Sequence, residues 1–321
     1  MNKIRLALLG CGRWGKNLLR VFSQLPYSTV STVYTRTGQD NVLALAAQYG
    51  ARWCADPQES WQNTEIDAVV IATPDPTHYT FAKTALENGK HVFVEKPLAI
   101  TAWQCRELGE LAHNRDLTLQ VGHIMQYHTA TQVVAEAVAK SRWGALCHIE
   151  MNNTDLKDYP VESELLTGTL VHDLSLLACL FDFSPRIESV HAFSLGVGAP
   201  IAAVRAELYY GSVPVSLRCS MAYPVANRDM ILTFERALLR FDRTGKGRLT
   251  AHTAVAPPMG MHYQTTYSTN AELPFPEQEP LRLECEDFLA AIKQHRAPVA
   301  NATVALRIAE TLDALRQRIL V

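Results

Sequence analysis

The chain has 321 residues, 48% of them hydrophobic and 19% charged, with a formal net charge of −2. That length holds about two globular domains, and the near-neutral balance excludes nucleic acid and anionic membrane as expected partners. Apolar runs such as residues 174–181 fall far short of the ~20 needed to cross a bilayer. The seven cysteines are odd in number and never spaced CxxC, which predicts reduced thiols, no structural metal site and a cytoplasmic location.

The start, MNKIRLALLGCG, mimics a signal peptide, but its apolar run is too short and leads into a glycine motif, so it reads as a first strand. Residues 4–10 predict that strand, and 17–25 a helix. Strand 29–35 and helix 42–49 follow, then a buried strand at 67–73, a helix at 77–88 closed by Gly89, a strand at 91–94, a helix at 102–114 and a strand at 117–121. This alternation predicts an α/β class: a doubly wound parallel sheet of the Rossmann kind over residues 1–121.

From residue 122 the rhythm changes. Helices are predicted at 131–140 and 164–181. Alternating segments at 147–154, 187–194, 202–210, 213–221, 230–234 and 238–242 predict an open, mostly antiparallel sheet with helices on one face. Residues 251–280 read as a long loop, and helices at 281–295 and 302–320 end the chain. Residues 122–321 are thus a second α/β domain.

GCGRWG places Gly10, Gly12 and Gly15 between a predicted strand and helix. The first glycine permits a tight turn, the second lets a diphosphate approach the backbone, and the third lets the helix pack on the strand. In a βαβ series this spacing predicts a dinucleotide. At the end of the second strand, VYTRTGQD carries Thr35, Arg36 and Thr37 and no acid before Asp40. An acid there would repel a 2′-phosphate, whereas Arg36 would pair with it, so NADP is predicted and NAD is the alternative. IATPDPTHY and HVFVEKPLA both end strands at the carboxyl edge, where open α/β sheets bind ligands. Pro97 stops the second of these strands and aims Lys96 out of its end, where it can exchange protons with a substrate.

GCGRWG, IATPDPTHY, HVFVEKPLA and LQVGHIMQYHTA, in this order and spacing, with the closing EPLRLECEDFLAAI, resemble the glucose–fructose oxidoreductase / inositol dehydrogenase / MocA (Gfo/Idh/MocA) family over nearly the whole chain. GCGRWGKNLLRVF and VHDLSLL look closest to its sugar-nucleotide branch. The resemblance implies nicotinamide-dependent hydride transfer to or from a secondary alcohol or ketone of a sugar, cyclitol or sugar nucleotide. It also implies a substrate-binding second domain whose sheet forms a homodimer or homotetramer. Gly10, Gly12, Arg13, Trp14 and Gly15 would hold the diphosphate. Thr73, Pro74 and His78 would line the nicotinamide side, with Glu95 and Lys96 beside the reacting carbon and a Lys96–Pro97 bond that is often cis. Lys96 and His172 would be catalytic; His123, Tyr127 and His128 would meet substrate. The 123/128 spacing lacks a third ligand, so no metal is expected.

Asp173 is a further substrate-side candidate, although the helix turns it about 100° away from His172, which favours a structural or helix-orienting role. One departure stands out. Relatives usually carry an aspartate four residues before the histidine, one helical turn away; here that position is Gly168, and Thr169 is the nearest available acceptor. The departure keeps a non-catalytic dinucleotide-binding regulator open, and a reductase of a non-sugar carbonyl or imine is a third reading.

Overall fold

The computed structural model describes residues 3–156, 165–197, 199–245, 247–254 and 267–319. It divides into two compact units: Met1–Tyr127 with Gln278–Glu310, and His128–Glu277 with Thr311–Val321.

The first unit opens with β1 (Ile4–Leu9), α1 (Arg13–Gln24), β2 (Ser28–Tyr34), α2 (Asp40–Gln48), β3 (Arg52–Cys54) and α3 (Gln58–Gln62). It continues with β4 (Ala68–Ile71), α4 (His78–Glu87), β5 (His91–Glu95), α5 (Ala102–Asn114) and β6 (Leu119–Gly122). All six strands are parallel, in the order β3-β2-β1-β4-β5-β6. This is the doubly wound arrangement in which the strand order reverses at β1/β4, opening a crevice at the carboxyl ends. The strands read as unbroken apolar runs because both faces are covered: Leu6 and Leu8 enter one core with Phe22 and Phe93, whereas Ala7 and Leu9 enter the other with Leu86 and Leu108. Full burial of each such leucine contributes about 1.5–3 kcal/mol.

The second unit contains α6 (Thr129–Ala139), β7 (Leu146–Leu156), α7 (Val171–Leu177), β8 (Arg186–Ser194), β9 (Ile201–Tyr210), β10 (Val213–Ser220), β11 (Ala222–Phe234), β12 (Ala237–Asp242), β13 (Arg248–Ala254) and β14 (Tyr267–Glu272). Its eight strands run β14-β13-β12-β11-β7-β10-β9-β8, antiparallel throughout except for the β10–β7 pair. A π-helical turn, Leu166–Leu170, leads into α7.

Two helices follow, α8 (Pro280–Gln294) and α9 (Ala302–Ile319). Sequence reading assigns everything after residue 121 to the second domain, whereas α8 returns to the first unit. Phe288 explains why: its ring packs edge-on against Phe22 and Phe93, with centroids 6.2 and 5.7 Å away. The predicted 251–280 loop is also corrected, since β13 and β14 border it and pair with each other. Residues 255–266 of that loop, and Glu164 and Leu320 at the ends of two predicted helices, lie outside the described residues.

Candidate functional site

A cleft of about 580 Å³ opens at the carboxyl edge of the first unit's sheet, between the ends of β1, β2, β4 and β5. Its floor is the glycine turn. Gly10 has φ +89°, and a Cβ there would lie 2.4 Å from Ala72 O. A Cβ on Gly15 would meet Gly10 O at 2.1 Å, but one on Gly12 would meet nothing among the described residues within 4 Å. Two glycines are therefore required by the protein's own packing, and the middle one faces open space in the cleft. Gly12 is also the N-cap of α1, with no side chain capping the first turn, which leaves the first N–H groups and the positive end of the dipole to an anion. Arg13 and Trp14 line the same floor. This cradle fits the diphosphate of a dinucleotide.

Thr35, Arg36 and Thr37 form the wall beyond β2. Thr35 Oγ1 accepts from Trp53 Nε1 at 2.9 Å and donates to Thr37 O at 2.9 Å, which fixes the loop. Arg36 is exposed and, among the described residues, has no hydrogen-bond or ion-pair partner. The opposite wall comes from the end of β4, where Thr73 and Thr77 hydroxyls meet at 2.6 Å and Thr77 Oγ1 donates to Pro74 O at 2.7 Å. His78 lines this wall but is fully buried, with Nδ1 2.7 Å from Pro97 O and Nε2 2.8 Å from Thr73 O. It braces one loop against the other, and both ring nitrogens are committed to the protein.

Glu95 and Lys96 sit at the cleft's rim, and the Lys96–Pro97 bond is cis. Burial pushes the Glu95 carboxyl up to about 7, with Lys96 opposing the shift and Asp75 adding to it. Tyr34, Asp75 and Phe81 also line the cleft without having been singled out in the sequence; Tyr34 and Asp75 stand inside the quoted VYTRTGQD and IATPDPTHY, and Phe81 lies two residues beyond the second.

The GHIMQYH residues are not arranged as a substrate wall. His123 is buried, and burial followed by the Lys96 charge holds its imidazole down to about 3. Tyr127 donates to Asp287 Oδ2 at 2.8 Å and accepts from Ala300 N at 3.2 Å, so it ties the 3₁₀ turn Ile124–Tyr127 to α8 and the loop beyond. In the second unit His128 caps α6, its Nδ1 accepting from Ala130 N at 3.2 Å, and its ring packs on Phe241 and Phe275.

His172 is half-buried on α7, and its carbonyl accepts from Ser175 Oγ. Asp173 is fully buried. Arg243 Nη1 donates to its Oδ1 at 2.5 Å, Asn153 Nδ2 to its Oδ2 at 3.1 Å, and Arg243 Nη2 to Asn152 O at 2.8 Å. This geometry corrects the substrate-side expectation for Asp173: both oxygens are spent on anchoring α7 to the sheet. Thr169, the acceptor expected near His172, instead directs its hydroxyl to Met221 Sδ at 3.2 Å.

Residues 4–123 match the Gfo/Idh/MocA family model, described as an oxidoreductase family with an NAD-binding Rossmann fold. The chain is 24% identical to a UDP-N-acetylglucosamine 3-dehydrogenase of Acidithiobacillus ferrooxidans, over 96% of this chain and 95% of that enzyme. It is 29% identical to an inositol 2-dehydrogenase of Burkholderia multivorans over 55% of this chain and 54% of that enzyme, so it spans about half the length of this relative. In fold it is similar to KijD10, a 3-ketoreductase from Actinomadura kijaniata solved with TDP-benzene and NADP, at a TM-score of 0.84 and 19% identity, over 99% of this chain and 98% of that one.

Proposed function

Over residues 4–123 the chain belongs to the Gfo/Idh/MocA oxidoreductase family, and on that premise we propose that it transfers a hydride between a nicotinamide dinucleotide and the secondary alcohol or ketone of a sugar, cyclitol or sugar nucleotide. The observation that carries this reading is a single cleft holding both the glycine cradle and, at its rim, Lys96. The full-length match to a nucleotide-sugar dehydrogenase favours a sugar nucleotide as substrate.

Gly10, Gly12, Gly15 and the first turn of α1 hold the diphosphate, and Arg13 and Trp14 flank it. Arg36 takes the 2′-phosphate, which makes NADP the cofactor; KijD10 was solved with that dinucleotide. Thr73 and Pro74 border the nicotinamide side, and His78 keeps their loop in place. The bound dinucleotide supplies the hydride acceptor, or the donor in the reverse direction. A carbinol carbon releases hydride only as its hydroxyl loses a proton, so a base must lie within hydrogen-bond reach of that oxygen. Lys96 is that base, with Glu95 beside it. His172 is the second proton-handling group, on a helix held by the Asp173–Arg243 pair. The protein works in the cytoplasm and assembles through its eight-stranded sheet, an assembly that sedimentation would show as a dimer or tetramer.

Gly168 and the engagement of Thr169 with Met221 support one rival, a dinucleotide-binding regulator without turnover. A screen of nucleotide sugars, sugars and cyclitols, followed at the reduced-nicotinamide absorbance, tests both. Turnover of a member of these classes supports the enzyme; dinucleotide binding with no turnover of any supports the regulator.

A further inference from the structure

Beyond Lys96 and Glu95 the first unit encloses polar and titratable side chains, Glu284, His123 and Gln120, that have no part in the chemistry above. Glu95 and Gly122 are register partners on β5 and β6, and a Cβ on Gly122 would come within 3.0 Å of Glu95 Oε2. The Glu95 carboxyl thus lies where a side chain at 122 would stand. Two residues earlier Phe93 pairs with Gln120, and Phe93 touches Phe288, so this is the face on which α8 packs. Gln120 Nε2 donates to Glu284 O at 2.9 Å, joining β6 to α8.

Glu284, Gln120 and His123 are 1%, 0% and 2% exposed. Among the described residues, both carboxyl oxygens of Glu284, both ring nitrogens of His123 and Gln120 Oε1 make no hydrogen bond. An ionised carboxylate left unpartnered at this depth costs far more than one that keeps its proton, and a second carboxylate nearby raises the cost again.

We propose that Glu284 and Glu95 form a coupled carboxyl pair holding a single proton behind Lys96, and that this pair takes up the proton Lys96 draws from substrate. The second half rests on the hydride-transfer reading; the pair itself does not. In the step, the substrate O–H bond breaks as the Lys96 amine becomes an ammonium. The ammonium then passes its proton to the Glu95 carboxylate, and the pair goes from one proton to two. The C–H electron pair leaves with the hydride to the nicotinamide, and reduction runs the same proton in reverse.

The surrounding charges agree with this order. Burial raises Glu284 well above the usual carboxylate range, and the charges of Glu95 and Asp287 add to it. Around Glu95 the facing groups are Lys96 and Asp75. Around Glu284 they are Asp287, Tyr127 and Cys285, whose thiol burial and then Glu284 push up. His123 faces Lys96 and stays neutral.

Infrared titration of the full chain tests the pair without turnover. The expected result is a protonated-carboxyl band that persists well above the pH range in which ordinary carboxylates ionise. The band should be absent in Glu284→Gln and should titrate about one pH unit or more lower in Glu95→Gln. No such band in the wild type, or an unmoved midpoint in Glu95→Gln, overturns the pair, and the latter measurement stands even where Glu284→Gln does not fold. Calorimetry of NADP+ binding in two buffers of different ionisation enthalpy tests the link to the site. Binding near pH 7 should release a fraction of a proton in the wild type and none in Glu95→Gln; equal release in both overturns the link. A band that behaves as expected, with no binding of either dinucleotide, sinks the functional reading and leaves the pair standing.

Discussion

Arg243→Met removes the cation that holds Asp173. The pair is sealed, with side chains 6% and 0% exposed, and Arg243 supplies two of the three hydrogen bonds that fix α7 and β7 at this point. Breaking a buried pair from one side strands the other charge and costs about 3–5 kcal/mol, whereas replacing both members with apolar residues is often neutral. Asp173 is already raised by burial, against the pull of Arg243 and then Asn153, and losing Arg243 raises it further. A carboxyl raised on folding contributes stability in acid that disappears as pH climbs through its folded value. The variant's deficit should therefore be small near pH 4 and full above neutrality. Urea denaturation of wild type, Arg243→Met, Asp173→Leu and the double variant, at several pH values, measures this directly. The double variant should recover most of either single loss, giving a coupling of several kcal/mol. A single-variant loss below about 1 kcal/mol, or a double variant as unstable as the sum of the singles, would refute the reasoning.

The cleft makes sharper predictions for its own residues. Arg36→Asp should weaken NADP binding by about 10- to 100-fold, the scale of one or two charge-assisted bonds, and leave NAD little changed; calorimetry that finds NAD tighter in the unmodified protein contradicts the assignment. Gly15→Ala forces a Cβ to 2.1 Å from Gly10 O and should lower the thermal midpoint markedly. Gly12→Ala projects into open space, so it should leave that midpoint within a degree or two and lose dinucleotide affinity instead. Equal thermal losses in the two variants would mean that the turn is shaped by packing alone.

Long periodic segments were legible in the sequence, and short or edge elements were not. Residues 102–114 predict α5 to the residue, because a Thr101 cap, an apolar stripe and a polar end coincide there. β3 and α3 span three and five residues, too few to show a period. β13 and β14 are rich in threonine and small residues, and pairing with β12 and with each other makes them strands. The glycine cradle and the EKP motif were readable because each ends a buried strand. Glu284 was missed although its signal was present: it falls in the 281, 284, 285, 288 stripe of α8 with Leu281, Cys285 and Phe288, where an acid is out of place. The sequence favoured a structural role for Asp173 but could not supply its partner, because Arg243 lies 70 residues away in the loop after β12.

The most direct test of the account is a single-turnover comparison of wild type and Lys96→Met with NADP+ and a turned-over nucleotide sugar. Removing the amine and keeping the length of the side chain should slow hydride transfer by about 10²–10⁴-fold while dinucleotide affinity stays within about twofold. Hydride transfer at the wild-type rate would contradict the account, because the base would then lie elsewhere.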